Sequence, residues 1–255
     1  MIDLSHLPLG KGAIGLGVLV AMLIAERLFP AVRMREELAR LGRNFGLAAL
    51  NLVLSPLVVV PLSALAAQWA PAWRPLWWSD APGLALDLLL LDFWIYLWHR
   101  VNHVLPFLWR FHAVHHLDEH LDASSALRFH FGEVLLSALV RALVIFVLAI
   151  PLSSVVVFET LLLVFTIFHH SNLRIPSTLE RALSLVIVTP SLHWVHHHAQ
   201  RADTDSNYAT VLSFWDLLFK SRSGTKRFSA MKIGVEGLSD VPLLGLILRP
   251  FQSKT

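Results

Sequence analysis

The sequence contains no cysteine, which excludes disulfides, zinc–thiolate sites, iron–sulfur clusters and a thiol nucleophile. Charge is scarce as well. Asp, Glu, Lys and Arg make up 15% of the 255 residues, against about a quarter in an ordinary soluble domain. The formal net charge is only +3, and the basic residues are scattered without the stripe that a nucleic-acid partner requires. Neither an internal repeat nor a low-complexity linker divides the chain. What is abundant is hydrophobic side chain, 55% of the total, a balance that points to a membrane protein. Histidine is the other surplus: there are fourteen, and all except His6 lie between His99 and His198. Confinement of that kind indicates a site, and without cysteine the imidazoles are the obvious metal ligands.

About five apolar runs are candidate spans: residues 13–29, 45–69, 84–98, 134–150 and 155–168. The last three are short for a hydrocarbon core of about 30 Å at about 1.5 Å per helical residue. Helical structure is therefore expected to run past their ends into the histidine segments. The first run lacks a basic leader beyond Lys11, and Glu26-Arg27 stands where small residues would mark cleavage. An uncleaved span is expected there rather than a signal peptide. Arg33, Arg35, Arg40 and Arg43 lie between the first two spans, which the positive-inside rule assigns to the cytoplasm. The next loop, residues 69–83, carries tryptophans suited to the opposite interface. Counting onward puts both histidine-rich regions, 99–133 and 169–230, on the cytoplasmic face. The expected architecture is all-α. It is a single membrane-embedded domain over residues 1–255, with about five transmembrane helices and a helical cytoplasmic cap holding a di-metal site. The late apolar run 241–251 is too short to cross and reads as an interfacial helix packed on the spans.

Four segments concentrate the histidines: WHRVNH (98–103), FHAVHH (111–116), FHHSN (168–172) and LHWVHHH (192–198). On a helix, residues three and four apart are neighbours. His112, His115 and His116 then share one face, His193, His196 and His197 share another, and His99 and His103 form a pair. Each box is expected to turn its imidazoles toward a common point. That suits an ion bound by neutral ring nitrogens at about 2.0–2.2 Å. These histidines exceed the roughly four to six ligands that one ion uses, so two metals are inferred. A solvated helix edge, a pH-responsive surface or a metal-scavenging tract would each explain one box. None of them explains several boxes on one membrane face. His198 is turned about 140° from His193 on a helix and is expected to point away. His120, beside Asp118 and Glu119, suits a solvated helix end, while His6 is isolated. His169 and His170 are adjacent, so one helix cannot aim both at one ion. His130 is either a supporting or a structural residue.

In this order and between these spans, the boxes resemble the fatty acid hydroxylase superfamily, which includes sterol desaturases and C-4 methyl sterol oxidases. The similarity runs from about Leu84 to about Phe251. It is carried also by SALRFHFGE (125–133), HHSNLRIP (169–176), TPSLHWVHHH (189–198) and DTDSNYATVLSFWDLLF (203–219). The resemblance implies two iron ions, O2 as co-substrate, and hydroxylation or desaturation at an unactivated C–H bond of a membrane lipid. It implies His99, His103, His112, His115, His116, His193, His196 and His197 as ligands, with His170 the further one after the last span. Asp205 and Asn207 are implied to orient imidazoles through their outer ring nitrogens. The chain departs from the pattern at Phe131, where many relatives have proline, and at Ala209, where many have glycine. Thr166 stands where some hydroxylases carry another histidine. The corresponding location is a multi-pass protein of a bacterial inner membrane.

Two other function classes stay open at the level of the residues. A membrane hydrolase with two zinc ions activating water needs a general base, and only Glu133 or Asp205 is near. A non-catalytic metal-binding protein or carrier should place histidines along a transmembrane path, and no span has one at its middle. Under the oxidative reading, Trp94, Tyr96, Trp98, Phe107 and Trp109 could line the path of a lipid from the bilayer. Packing or interfacial anchoring explains each of these aromatics equally. The chain has no cytochrome b5-like or flavin module, so electrons are expected from a separate electron-transfer protein or reductase. Asp87, Asp92 and Arg141 lie within spans and are expected to face inward and be paired. Asp92, seven residues before His99, is a candidate partner for Arg141 or for the site.

Overall fold

The computed structural model describes residues 7–33 and 37–252; His6 and Arg35 lie outside the described residues. Helix α1 (Leu7–Leu28) is followed by α2 (Leu38–Leu54), a π-helical turn (Ser55–Val59) and α3 (Val60–Gln68). Then come α4 (Asp80–Val104), α5 (Pro106–His116), α6 (Phe131–Leu148) and α7 (Leu152–His170). Among the described residues, four stretches are long and apolar enough to cross a membrane: Leu38–Gln68, Asp80–Val104, Phe131–Leu148 and Leu152–His170. The expected first span is the body of α1. That helix carries Lys11, Glu26 and Arg27.

The helices overrun the apolar runs because their polar ends are buried rather than solvated. At the start of α2, Arg40 and Asn44 are buried and meet the segment after α5. The Arg40 guanidinium donates to Asp118 at 3.0 Å and to the His120 carbonyl at 3.0 Å, and it pairs with Asp122. Asn44 donates to Asp118 and to Ser124 Oγ, each at 3.0 Å. Arg128 donates to the Val114 carbonyl at 2.9 Å and to Asn44 Oδ1 at 3.1 Å. Arg40 is thus a buried clamp on α5, not a free loop cation, and Arg43 pairs with Asp240 at 2.8 Å.

Two corners position the histidines. Leu105 is extended (φ −87°, ψ 116°) between α4 and α5, as the residue before a proline must be. The break folds the α5 histidines back onto those at the end of α4. Between α6 and α7, Ala149 adopts the left-handed region (φ 50°). Its N–H reaches the Phe146 carbonyl at 3.3 Å while the Ile150 N–H reaches Ile145 at 3.0 Å. This is a Schellman ending with alanine where glycine is usual.

The buried carboxylates also fasten elements. Glu26 accepts the backbone N–H of Ala123 at 3.0 Å and of Asn172 at 2.9 Å, tying α1 to the chain on either side of the site. Asp87 accepts from Ser154 at 2.7 Å and Trp78 at 3.0 Å, at the far end of the bundle. Asp92 accepts from Trp215 Nε1 at 2.8 Å and Leu212 N–H at 3.2 Å. It does not meet Arg141, which pairs with Glu159 at 3.0 Å. The reason is rotational: the cap seats its Trp215 on the face of α4 that carries Asp92.

Beyond α7 the cap is built from short pieces. These are α8 (Ser177–Leu183), α9 (Pro190–His196), α10 (Arg201–Thr204), α11 (Phe214–Leu218) and α12 (Leu243–Leu248). Isolated bridges join Pro30 to Leu173, Ile187 to Leu212 and His198 to Ile233, and no strand forms among the described residues. The buried cluster of Tyr96, Val188, Tyr208, Ala209 and Trp215 holds the cap on α4. α12 buries Leu246 against Leu47, Val114 and Leu117, so the late apolar run lies against the bundle.

Candidate metal centre

Nine imidazoles converge in two groups. His99, His103, His112, His116 and His196 form one, and His115, His170, His193 and His197 the other. Within each group the nearest ring nitrogens lie within 4.8 Å of one another, and every member is buried. The boxes do not each turn to one point. His112 and His116, four apart on α5, join the first group while His115 joins the second. Likewise His193 and His197 join the second group while His196 joins the first. Residues four apart differ by about 40° around a helix, whereas one three away falls on the other side of that pair. α5 and α9 therefore lie between the two groups, and each supplies both.

Many of these nitrogens face each other instead of a conventional partner. The Nε2 atoms of His99 and His112 are 3.1 Å apart, and those of His116 and His112 are 3.2 Å apart. In the second group, His170 and His115 Nε2 are 3.0 Å apart, His193 and His170 2.9 Å, and His197 and His193 3.1 Å. Two ligands at about 2.1 Å from an ion and at right angles stand about 3.0 Å apart. The outer nitrogens account for the inward lone pairs. Nδ1–H donates to the Tyr208 carbonyl from His99 (2.8 Å), to Glu133 Oε1 from His112 (2.8 Å), and to the Arg128 carbonyl from His115 (3.2 Å). His170 donates to the Thr166 carbonyl at 2.7 Å and His196 to Ser206 at 2.6 Å. Each bond selects the tautomer whose Nε2 is a bare acceptor.

Burial, then neighbouring imidazoles, hold the rings of His115, His116, His193 and His197 well below the ordinary histidine pKa. His196 is lowered by the same two causes. Neutral rings with converging lone pairs form a donor set fitted to a borderline divalent metal. The residues fit such an ion: buried nitrogens such as His196 Nε2 lack any partner among the described residues.

A cavity of about 360 Å³ opens from this centre into the helices. Its walls include Ile95, Trp98, Val134, Leu162 and Leu163, and its far part includes Lys11, Arg141 and Glu159. A second cavity of about 470 Å³ shares Asn51, Ser55 and Phe129 with it and reaches Phe45 and Leu52, which are exposed on α2. Ser55 begins the π-helical turn, a local distortion common at functional sites.

The model of the family described as fatty acid hydroxylase matches residues 84–221. The chain belongs to the fatty acid hydroxylase family. Ornithine lipid hydroxylase OlsE of Rhizobium tropici is 28% identical over 199 residues, which are 78% of this chain and 59% of that protein. Alkylglycerol monooxygenase of Danio rerio is 33% identical over 151 residues, 59% of this chain and 31% of that one. Cholesterol 25-hydroxylase-like protein of Danio rerio is 29% identical over 180 residues, covering 67% and 69%. The chain thus spans less than two thirds of the first two relatives. No solved structure matches it.

The part matched to the fatty acid hydroxylase family contains all nine converging imidazoles, while α1, α2 and α3 lie outside it. Asp205 Oδ1 stands 3.4 Å from His103 Nδ1, with its other oxygen on Arg201. Asn207 does not touch an imidazole. Its amide donates to the Leu192 carbonyl and accepts from the Ser223 N–H, each at 3.0 Å. It sits at φ 51°, a conformation asparagine tolerates, so it braces the turn after α10. His198 points away and bonds Asp203 at 2.7 Å. His130 is structural: Nδ1 accepts the Gly132 N–H at 2.9 Å and Nε2–H donates to Ile247 at 3.0 Å. His120 is buried edge-on to Trp194 rather than at a solvated end. His169 belongs to neither group but lines the cavity. Glu133, considered above only as a possible base, is the carboxylate that orients His112. Its place two residues beyond Phe131, in the quoted SALRFHFGE segment, is the signal that marked it.

Proposed function

We propose that this member of the fatty acid hydroxylase family is an oxidoreductase, an O2-dependent hydroxylase or desaturase of a membrane lipid that uses two iron ions. The observation that carries this reading is two buried all-imidazole groups, of five and four, opening on a largely apolar cavity. His99, His103, His112, His116 and His196 would hold one ion; His115, His170, His193 and His197 would hold the other. When bound, the irons supply activation of O2 and the oxidising power needed at an unactivated C–H bond.

The chain's own residues do the rest. Glu133 and the carbonyls of Tyr208, Arg128, Thr166 and Ser206 hold the Nδ1 protons and so fix the ring orientations. Ile95, Trp98, Leu162 and Leu163 hold a hydrocarbon chain and exclude water. Hydroxylation consumes O2, two electrons and two protons; one oxygen enters the C–H bond and the other leaves as water. Desaturation uses the same inputs and releases two waters. The electrons come from a separate reductase or electron-transfer protein. The connections on the far side, 69–79 and 149–151, hold one basic residue, Arg74. By the positive-inside rule the imidazole face is cytoplasmic, in the inner membrane of a bacterium.

The di-zinc hydrolase reading is weaker because Glu133 is engaged with His112 and the relatives are named as hydroxylases and monooxygenases. Metal analysis of the purified protein, followed by anaerobic reduction and exposure to O2, tests the proposal. Two irons per chain, O2 consumption, and a lipid that gains one oxygen or loses two hydrogens are expected. Redox-silent metal with unchanged lipids would sink it, as would full turnover in His196→Ala.

A further inference from the structure

Lys11, Arg141 and Glu159 come from α1, α6 and α7 and all line the cavity. Arg141 Nη2 stands 3.0 Å from Glu159 Oε1, and Lys11 Nζ stands 2.5 Å from Glu159 Oε2. Ionisable groups are expensive within the hydrocarbon region and mark function when present. A purely structural pair would balance its charge. Here two cations share one carboxylate, leaving a net positive charge. Arg141 is only 8% exposed, yet its Nε has no partner among the described residues.

The position of the cluster is informative. Arg141 follows Glu133 by eight residues on α6, about 12 Å along the helix. Glu159 precedes His170 by eleven residues on α7, about 16 Å. The imidazoles and the cationic cluster therefore occupy opposite ends of one cavity, with the apolar wall between them. A neutral hydrocarbon would leave the excess charge unpaired. A guanidinium with one edge on Glu159 still offers Nε–H to an anionic oxygen.

We propose that Lys11 and Arg141, held together by Glu159, dock the anionic group, carboxylate or phosphate, of an amphiphilic lipid whose chain then extends toward the imidazoles. The dock selects anionic amphiphiles over neutral ones. Resting on the oxidative reading, it further places oxidation remote from the anionic group rather than on the adjacent carbon.

The test is equilibrium binding of radiolabelled hexadecanoic acid, hexadecyl phosphate and hexadecan-1-ol to the metal-loaded protein in detergent. At least one of the two anions should bind about tenfold or more tightly than the alcohol, the scale of a hydrogen bond to a charged group. Whichever anion binds tighter identifies the source of the anionic oxygen. Arg141→Gln should abolish the preference. Glu159→Gln, which raises the local positive charge, should keep or increase it. A merely structural triad would lose or keep selectivity alike in both variants. Equal wild-type affinity for the three probes overturns the proposal even if neither variant folds, and so does parallel loss of preference in both variants. Binding is read without turnover, so an inactive protein that still prefers anions would refute the oxidative reading and leave the dock standing.

Discussion

Glu133 offers the sharpest test of how the centre is built. Its Oε1 accepts from His112 Nδ1 at 2.8 Å, and His112 Nε2 lies 3.1 Å from His99 and 3.2 Å from His116. His112 is thus the ring that joins three members of the five-imidazole group. In Glu133→Leu the Nδ1–H would be buried without an acceptor, which costs about 1–3 kcal/mol. At about 1.4 kcal/mol per decade, metal affinity in that group should fall roughly 5- to 150-fold. That range brackets the 10- to 100-fold typical of lost partners behind a metal ligand. Glu133→Gln keeps an acceptor but loses the charge, and should stay near the lower end. Chelator competition followed by iron analysis of the recovered protein reads the effect directly. At intermediate chelator the wild type should retain two irons and Glu133→Leu one. Chelator resistance equal to wild type would refute the orienting role. Loss of both irons together would refute the separation of the groups.

His193→Ala and His196→Ala, only three residues apart, should each remove one iron but from opposite groups, giving different Mössbauer spectra. Identical spectra would contradict the partition. His198→Ala should leave both irons in place, because that ring bonds Asp203; iron analysis checks it. Arg40→Ala strands Asp118 and Asp122 in a buried setting and should cost about 3–5 kcal/mol, seen as a lower thermal midpoint in detergent. Ala149→Gly relieves a left-handed alanine and should raise that midpoint, by a free-energy gain of up to about 1 kcal/mol.

The histidine spacing was legible because three- and four-residue intervals map directly onto a helix surface. The allocation of each ring to a group was not. It depends on where α5 and α9 lie relative to each other, which no local interval encodes. The same holds for Arg40. Counted as a loop cation, it is instead held by Asp118 and Asp122, about eighty residues along the chain, and α2 consequently begins at Leu38 rather than near Phe45. Asn207 was expected beside an imidazole because it follows the last box. The carbonyl of its neighbour Ser206 takes that place at His196, and backbone acceptors of this kind leave no mark in residue type. The expected first span was legible as an apolar run; its polar contacts were not. It is one helix, Leu7–Leu28, but its Lys11 and Glu26 meet Glu159 of α7 and the Ala123 N–H, partners that no local pattern announces.

The asymmetry of five and four also bears on where chemistry would occur. The cavity touches His115, His170 and His193 of the smaller group but only His99 and His112 of the larger. On its other side the larger group is closed by Tyr208 and Trp109, whose rings lie 5.2 Å and 5.0 Å from His103. Arg201 in turn lies over Trp109, its guanidinium carbon 4.6 Å from the ring centre. The smaller group instead faces Thr166, one turn before His170 on the cavity wall. A chain held at the far end of the cavity would therefore approach the group with fewer imidazoles and the more open side. Thr166 lines the cavity there, and its carbonyl accepts from His170 Nδ1 at 2.7 Å. Under the proposed reading, the position without an imidazole borders the space that a lipid chain would occupy.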